Sequence, residues 1–154
     1  MRLIVTPDLN VLLAASRSDH PQHSAAMAWL DDALSACTTG RGIEVLPMVA
    51  AGFLRLATNR KVFSSPTPIP AAVGFIDSLL AVPGVEMAEL GREWPTLRAL
   101  ASAHNLSGNN LTDAWIAAAV RTIGSRLVTF DRGFARLLGR SELTILSPTS
   151  AAGL

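Results

Sequence analysis

Short apolar runs alternate along the chain with longer stretches whose apolar positions recur every three or four residues. The first run, 3–6, reads as a buried strand stopped by Pro7 and Asp8, and 10–15 follows as one or two helical turns. Ser18, Asp19, His20 and Pro21 supply a cap and a first-turn proline for a helix running to Ala36, with Ala25, Ala26, Trp29, Leu30, Ala33 and Leu34 on its buried face. Gly40 and Gly42 break it. A second strand is predicted over 43–46, then a helix from Pro47 through Ala57 with Val49, Phe53, Leu54 and Leu56 internal. The Ser- and Pro-rich stretch 58–70 reads as an exposed loop. A helix over 70–81, a strand over 85–90 and a helix over 93–104 come next. The last elements are a helix over 113–123 ending at Gly124, a strand over 126–130, a short helix over 134–138 and a strand over 143–146. Strands alternating with helices imply an α/β domain with a central parallel sheet of four to five strands, helices on both faces. It spans 1–147, with a frayed tail over 148–154.

Composition changes this picture little. The chain has 154 residues, 49% hydrophobic and 16% charged, which suits one domain and leaves little room for a second. A net charge of +1 gives no global basic field that would advertise nucleic acid. Twelve of the thirteen cations are arginine, the better phosphate fork, although codon preference explains that bias equally well. One cysteine, Cys37, excludes an internal disulfide framework. No uninterrupted apolar stretch is long enough to span a bilayer and the N-terminus lacks a secretory pattern, so a soluble cytoplasmic protein with no membrane partner is expected.

The candidate chemistry lies in three aspartates. Asp8 ends the first strand, Asp131 ends the strand over 126–130, and Asp113 opens the helix that feeds that strand. The helix climbs about 16 Å and the strand returns about 16 Å, so Asp113 and Asp131 finish at the same end of the domain. In a parallel α/β sheet, ligands bind at the carboxyl ends of the strands where strand order reverses. Three carboxylates at such a rim repel one another unless they share a hard cation, and oxygen-only donors suit Mg²⁺ or Mn²⁺. Such an ion promotes water attack in phosphodiester hydrolysis. Each acid alone has an ordinary reading as a turn former, dipole partner or helix cap; their joint placement favours a metal site.

Several segments resemble the landmarks of PIN-domain ribonucleases, specifically VapC toxins of bacterial toxin-antitoxin pairs. They are Pro7-Asp8-Leu9-Asn10-Val11-Leu12-Leu13, Gly52-Phe53-Leu54-Arg55-Leu56-Ala57-Thr58-Asn59, Gly108-Asn109 with Leu111-Thr112-Asp113-Ala114, and Thr129-Phe130-Asp131-Arg132-Gly133-Phe134. The resemblance spans nearly the whole chain in the right order. It implies a Rossmann-like fold and a Mg²⁺- or Mn²⁺-dependent endoribonuclease, often a homodimer, held inactive by a VapB-type antitoxin. On the matching positions Asp8, Asp113 and Asp131 are the metal-binding, catalytic acids, with Asn10, Thr112 and Thr129 as polar neighbours that orient acids or waters. One departure stands out: many PIN domains carry a further acid on the helix after the second strand, whereas 47–58 has none and places Ala50 and Ala51 near that point. Three acids with waters still complete one metal shell, but a second metal is less supported. Glu44, the nearest acid in sequence, sits mid-strand and is expected to point elsewhere.

The remaining residues divide less sharply. Arg55 and Arg60 are candidates for RNA phosphate contacts, while Arg55 could equally pair with a carboxylate inside the fold. His20, His23 and His104 form no ligand pattern and read as surface residues. Trp29, Trp94 and Trp115 read as core or interface anchors before base-stacking platforms. The helix after the second strand and those around Trp29 and Trp94 offer apolar faces to an antitoxin segment. A phosphate-cradling loop is absent, Asn10 stands where a dehalogenase-type phosphotransferase needs a second aspartate, and the single lysine, Lys61, excludes a receiver-type site. The alternative to an enzyme is a PIN-like module, weak or inactive, that acts by binding protein or RNA.

Overall fold

The computed structural model describes residues 2–147, so the expected tail over 148–154 lies outside the described residues. Five parallel strands, β1 (Ile4–Pro7), β2 (Gly42–Val45), β3 (Val85–Met87), β4 (Arg126–Thr129) and β5 (Leu143–Ile145), form one sheet in the order β3-β2-β1-β4-β5. Six helices connect them: α1 (Leu9–Ser16), α2 (His23–Ala36), α3 (Pro47–Ala57), α4 (Ile69–Leu80), α5 (Trp94–Ala103) and α6 (Asn110–Ile123). The chain moves outward from β1 to β3, then crosses back to β4 on the other side of β1. Right-handed crossovers therefore put α1–α4 on one face and α5–α6 on the other. Strand order reverses between β1 and β4, so the crevice of such a sheet opens there.

Local sequence accounts for the main elements. Pro47 occupies the first turn of α3, where its missing N–H costs nothing. The backbone of Gly124 is left-handed (φ 72°) and closes α6 with N–H bonds to the Arg121 and Val120 carbonyls. Val11 through Ala15 on α1 are all buried, as are Ala117, Ala118 and Ala119 on α6. Those small residues let α6 lie close to the sheet. Phe53 of α3 stacks on Phe75 of α4 with centroids 5.3 Å apart. Bidentate hydrogen bonds from Arg121 to Glu142 (both 2.8 Å), with a third to the Leu137 carbonyl (3.0 Å), tie the last turn of α6 to the segment after β4.

The structure corrects several boundaries. The third strand ends at Met87 rather than at 90, and the segment after β4 is a 3-10 turn, Arg132–Arg136, rather than a helix over 134–138. The loop after α3 is largely exposed as expected, and is pinned by Arg17, which stacks on Phe63 (3.9 Å) and bonds the Ser65 carbonyl (2.8 Å) and Thr67 (3.1 Å). His20 and His23 are half-buried rather than surface residues, because their Nδ1 atoms bond the Gln22 N–H and the Ala14 carbonyl. Trp29 is half-buried against the core. Trp94 is not a core anchor: it is 59% exposed and lines an apolar groove between α5 and α6 with Leu97, Leu111 and Trp115.

Candidate active site

Asp8 stands at the switch point. Its backbone N–H bonds the Val128 carbonyl (2.9 Å), which fixes it beside the end of β4. It then leaves the strand to become the N-cap of α1, its Oδ1 accepting the Leu9 N–H at 2.7 Å. Its Oδ2 accepts the Thr129 hydroxyl, also at 2.7 Å. Thr129 has one proton to give, and the shorter, charge-assisted bond to Asp8 takes it in preference to the 3.4 Å contact with Asn10 Oδ1. The Thr129 oxygen is then free to accept from Asn10 Nδ2 (3.2 Å) and from the Asp131 backbone N–H (3.0 Å), while Asn10 Oδ1 accepts the Phe130 N–H (3.3 Å). One buried hydroxyl thus joins Asp8, Asn10 and the backbone of Asp131.

Asp131 caps the following 3-10 turn, its Oδ1 accepting the Gly133 N–H at 2.8 Å. Asp113 approaches from the other face of the sheet, in the first turn of α6, which begins at Asn110 rather than at Asp113. Asp8 and Asp113 line one depression with Leu9, Asn10, Leu13, Leu56, Thr112 and Ile116. Burial pushes the Asp8 carboxyl above its ordinary range; the Thr129 and Leu9 bonds pull it back, and the charges of Asp113 and Asp131 push it up again. Asp113 is also raised, by burial and then by Asp131, against a lowering influence from Arg136. Asp8 thus feels the charges of Asp113 and Asp131, and Asp113 feels that of Asp131.

None of the three has an ion-pair partner among the described residues, and the Asp113 carboxylate has no hydrogen-bond donor there either. Nor do any three His, Cys, Asp or Glu side chains among the described residues come together in a group that could hold a metal ion. The arrangement fits a hydrated hard cation that takes one or two carboxylates directly and reaches the rest through water. Asp8 and Asp113 share the depression, and Asp131 is not part of its lining.

The other expected residues fall in different places. Asn10 and Thr129 bond within the acid network, whereas Thr112 lines the depression without a bond to any of the three acids. Arg55 and Arg60 are exposed, and neither meets a carboxylate among the described residues, so the internal pairing considered for Arg55 is not present. Glu44 pairs in register with Glu86 of β3 and takes no part in the depression. Two residues escaped the sequence reading. Arg136 closes the turn that Asp131 caps and bears electrostatically on Asp113; only its spacing from Asp131 hinted at this. Glu93, 7% exposed, accepts the Gly91 N–H (2.6 Å) and the Trp115 ring N–H (2.8 Å), a strut beneath α6 that the sequence marked only as a helix start.

The comparisons with known proteins converge on one family. The chain belongs to the PIN-domain family, whose model matches residues 5–138. Among curated relatives it is similar to Ribonuclease VapC31 of Mycobacterium tuberculosis, 39% identical over 130 residues, covering 84% of this chain and 89% of that protein. Ribonuclease VapC25 of the same organism is 38% identical over 130 residues, again 84% of this chain and 89% of its own length. The fold is also that of VapBC2 from Rickettsia felis, solved bound to a promoter DNA fragment (TM-score 0.64, 18% identity, 94% of this chain and 100% of that one). Mycobacterium tuberculosis VapC20, described as a Sarcin-Ricin loop cleaving toxin, gives a TM-score of 0.59 at 16% identity over 86% of this chain and 93% of that one.

Proposed function

We propose that this chain is an endoribonuclease that hydrolyses RNA phosphodiester bonds with Mg²⁺ or Mn²⁺, as the toxin of a VapBC-type pair. The observation that carries the reading is the set of three aspartates at the β1/β4 switch point, none of them ion-paired among the described residues and Asp8 raised by the charges of the other two. The ribonuclease names of relatives at 38–39% identity support the activity. The Rickettsia felis VapBC2 complex supports a cognate VapB-type antitoxin as partner, and a homodimer is part of the same reading. One domain over 1–147 carries the function. We place it in the cytoplasm; no helix among the described residues is long and apolar enough to cross a membrane.

In this mechanism Asp8, Asp113 and Asp131 would together hold the cation. Bound there, such an ion would ease deprotonation of the attacking water and neutralise charge on the leaving oxygen. Thr129 keeps its proton on Asp8 Oδ2, so the carboxylate is held at a fixed angle while its remaining lone pairs face the depression. Asn10 holds Thr129 in turn. Arg55 and Arg60, exposed and without carboxylate partners among the described residues, are available to RNA phosphates.

The test is cleavage of total cellular RNA by purified protein with and without Mn²⁺, beside an Asp113→Asn variant. Metal-dependent cleavage lost in a folded variant supports the enzyme. A second reading, a binding module without useful activity, draws on the absence of any acid in α3. Silence of the wild type under every divalent ion would favour it.

A further inference from the structure

Arg136 has no role in the chemistry described so far. It ends the 3-10 turn that Asp131 opens, and a short relay ties the two: Asp131 Oδ1 accepts the Gly133 N–H (2.8 Å), and the Gly133 carbonyl accepts Arg136 Nε (3.3 Å). Nε is thereby engaged on the turn, while Nη1 and Nη2 have no partner among the described residues. Arg136 is exposed and forms no ion pair among the described residues. Three arginines are committed elsewhere: Arg17 bonds Asp19, Arg121 bonds Glu142, and Arg126 bonds the Arg140 and Leu143 carbonyls. A guanidinium fork without a partner among the described residues therefore stands on the turn that Asp131 caps, at the carboxyl end of the sheet.

The charge balance gives that fork a purpose. Three ionised carboxylates carry three negative charges and a divalent cation offsets two, which leaves the rim negative toward an incoming phosphodiester. A single fixed cation brings it to neutrality. The fork also matches the two non-bridging oxygens of a phosphate, which a point charge does not.

We propose that Arg136 anchors a backbone phosphate of the bound RNA next to the three aspartates, through the Nη pair left free by its Nε bond to Gly133. The inference rests on the ribonuclease reading. Its electrostatic influence on Asp113 agrees with this placement.

The test is binding of a fluorescent mixed-sequence single-stranded RNA with Ca²⁺ as the neutralising ion, across a salt series, with the RNA checked as intact on a gel. For single strands each phosphate contact adds about 0.7 to the slope of log affinity against log salt. Arg136→Ala should flatten the slope by about that amount, and Arg136→Lys should restore the slope while binding more weakly than wild type. Arg41→Ala, at the amino end of β2 and so opposite the acids, should match wild type. An unchanged slope in Arg136→Ala, or an equal flattening in Arg41→Ala, overturns the assignment while leaving the nuclease reading intact. A wild type that binds no RNA sinks the nuclease reading and this inference together.

Discussion

Asp8 and Glu93 are both hidden from solvent, 6% and 7% exposed, and each accepts two hydrogen bonds. Their carboxyls nevertheless shift in opposite directions. Asp8 lies deep at the sheet's carboxyl edge, where burial outweighs the Thr129 and Leu9 donors and Asp113 and Asp131 add to the rise. For Glu93 burial is the largest single influence and raises it, but the Gly91, Trp115 and own-backbone donors together more than offset that and hold it low. Hydrogen-bond number therefore does not separate a strut from a reactive acid. Depth and neighbouring negative charge do. Glu93 is satisfied by its donors, whereas Asp8 and Asp113 are raised by burial and by neighbouring negative charge.

Three substitutions press on that contrast. Thr129→Val removes the hydroxyl that orients Asp8 and leaves the Asp131 N–H and Asn10 amide short of an acceptor. Metal-dependent cleavage should fall on the order of 10–100-fold in steady-state kinetics. Glu93→Gln keeps the shape but replaces one acceptor with a donor facing either Gly91 or Trp115. Denaturant unfolding at neutral pH should show a loss of about 1.5–3 kcal/mol with cleavage unchanged. Because the folded pKa of Glu93 is depressed, its stabilisation is present above the unfolded value of 4.5. The gap between wild type and variant should therefore close as pH falls through the folded value. The smallest effect is expected for Asp113→Asn without divalent ions. The folded pKa of Asp113 is raised above 3.8, so its charge opposes folding at neutral pH and ceases to do so as the group protonates. The variant should melt slightly above wild type at neutral pH, and the difference should vanish in acid. A variant that melts lower at every pH would place Asp113 with Glu93, as a strut.

Much of this arrangement was legible in the sequence because local signals and the global fold agree. Pro47 sets the start of α3 and the alanine run sets α6, while the strand ends carry Asp8 and Asp131 to the rim that parallel topology requires. Misreadings occurred where tertiary contacts overrode local pattern. The helix read over 113–123 starts three residues earlier, at Asn110, because Asn109 already has a helical backbone. Trp94 fits an apolar helix stripe, but α5 and α6 meet so as to leave it outside. Glu93 and Arg136 carry no motif: one is defined by the ring of Trp115 in a different helix, the other by a 3-10 turn that apolar spacing alone does not foresee.

The central claim is that the rim acids form one cation site. Calorimetric titration of Mn²⁺ into the purified chain addresses it directly, with Asp8→Asn and Glu93→Gln measured alongside. The account predicts saturable uptake by wild type and by Glu93→Gln, and loss of that uptake in Asp8→Asn. Equal uptake by all three proteins, or none by wild type, would contradict it.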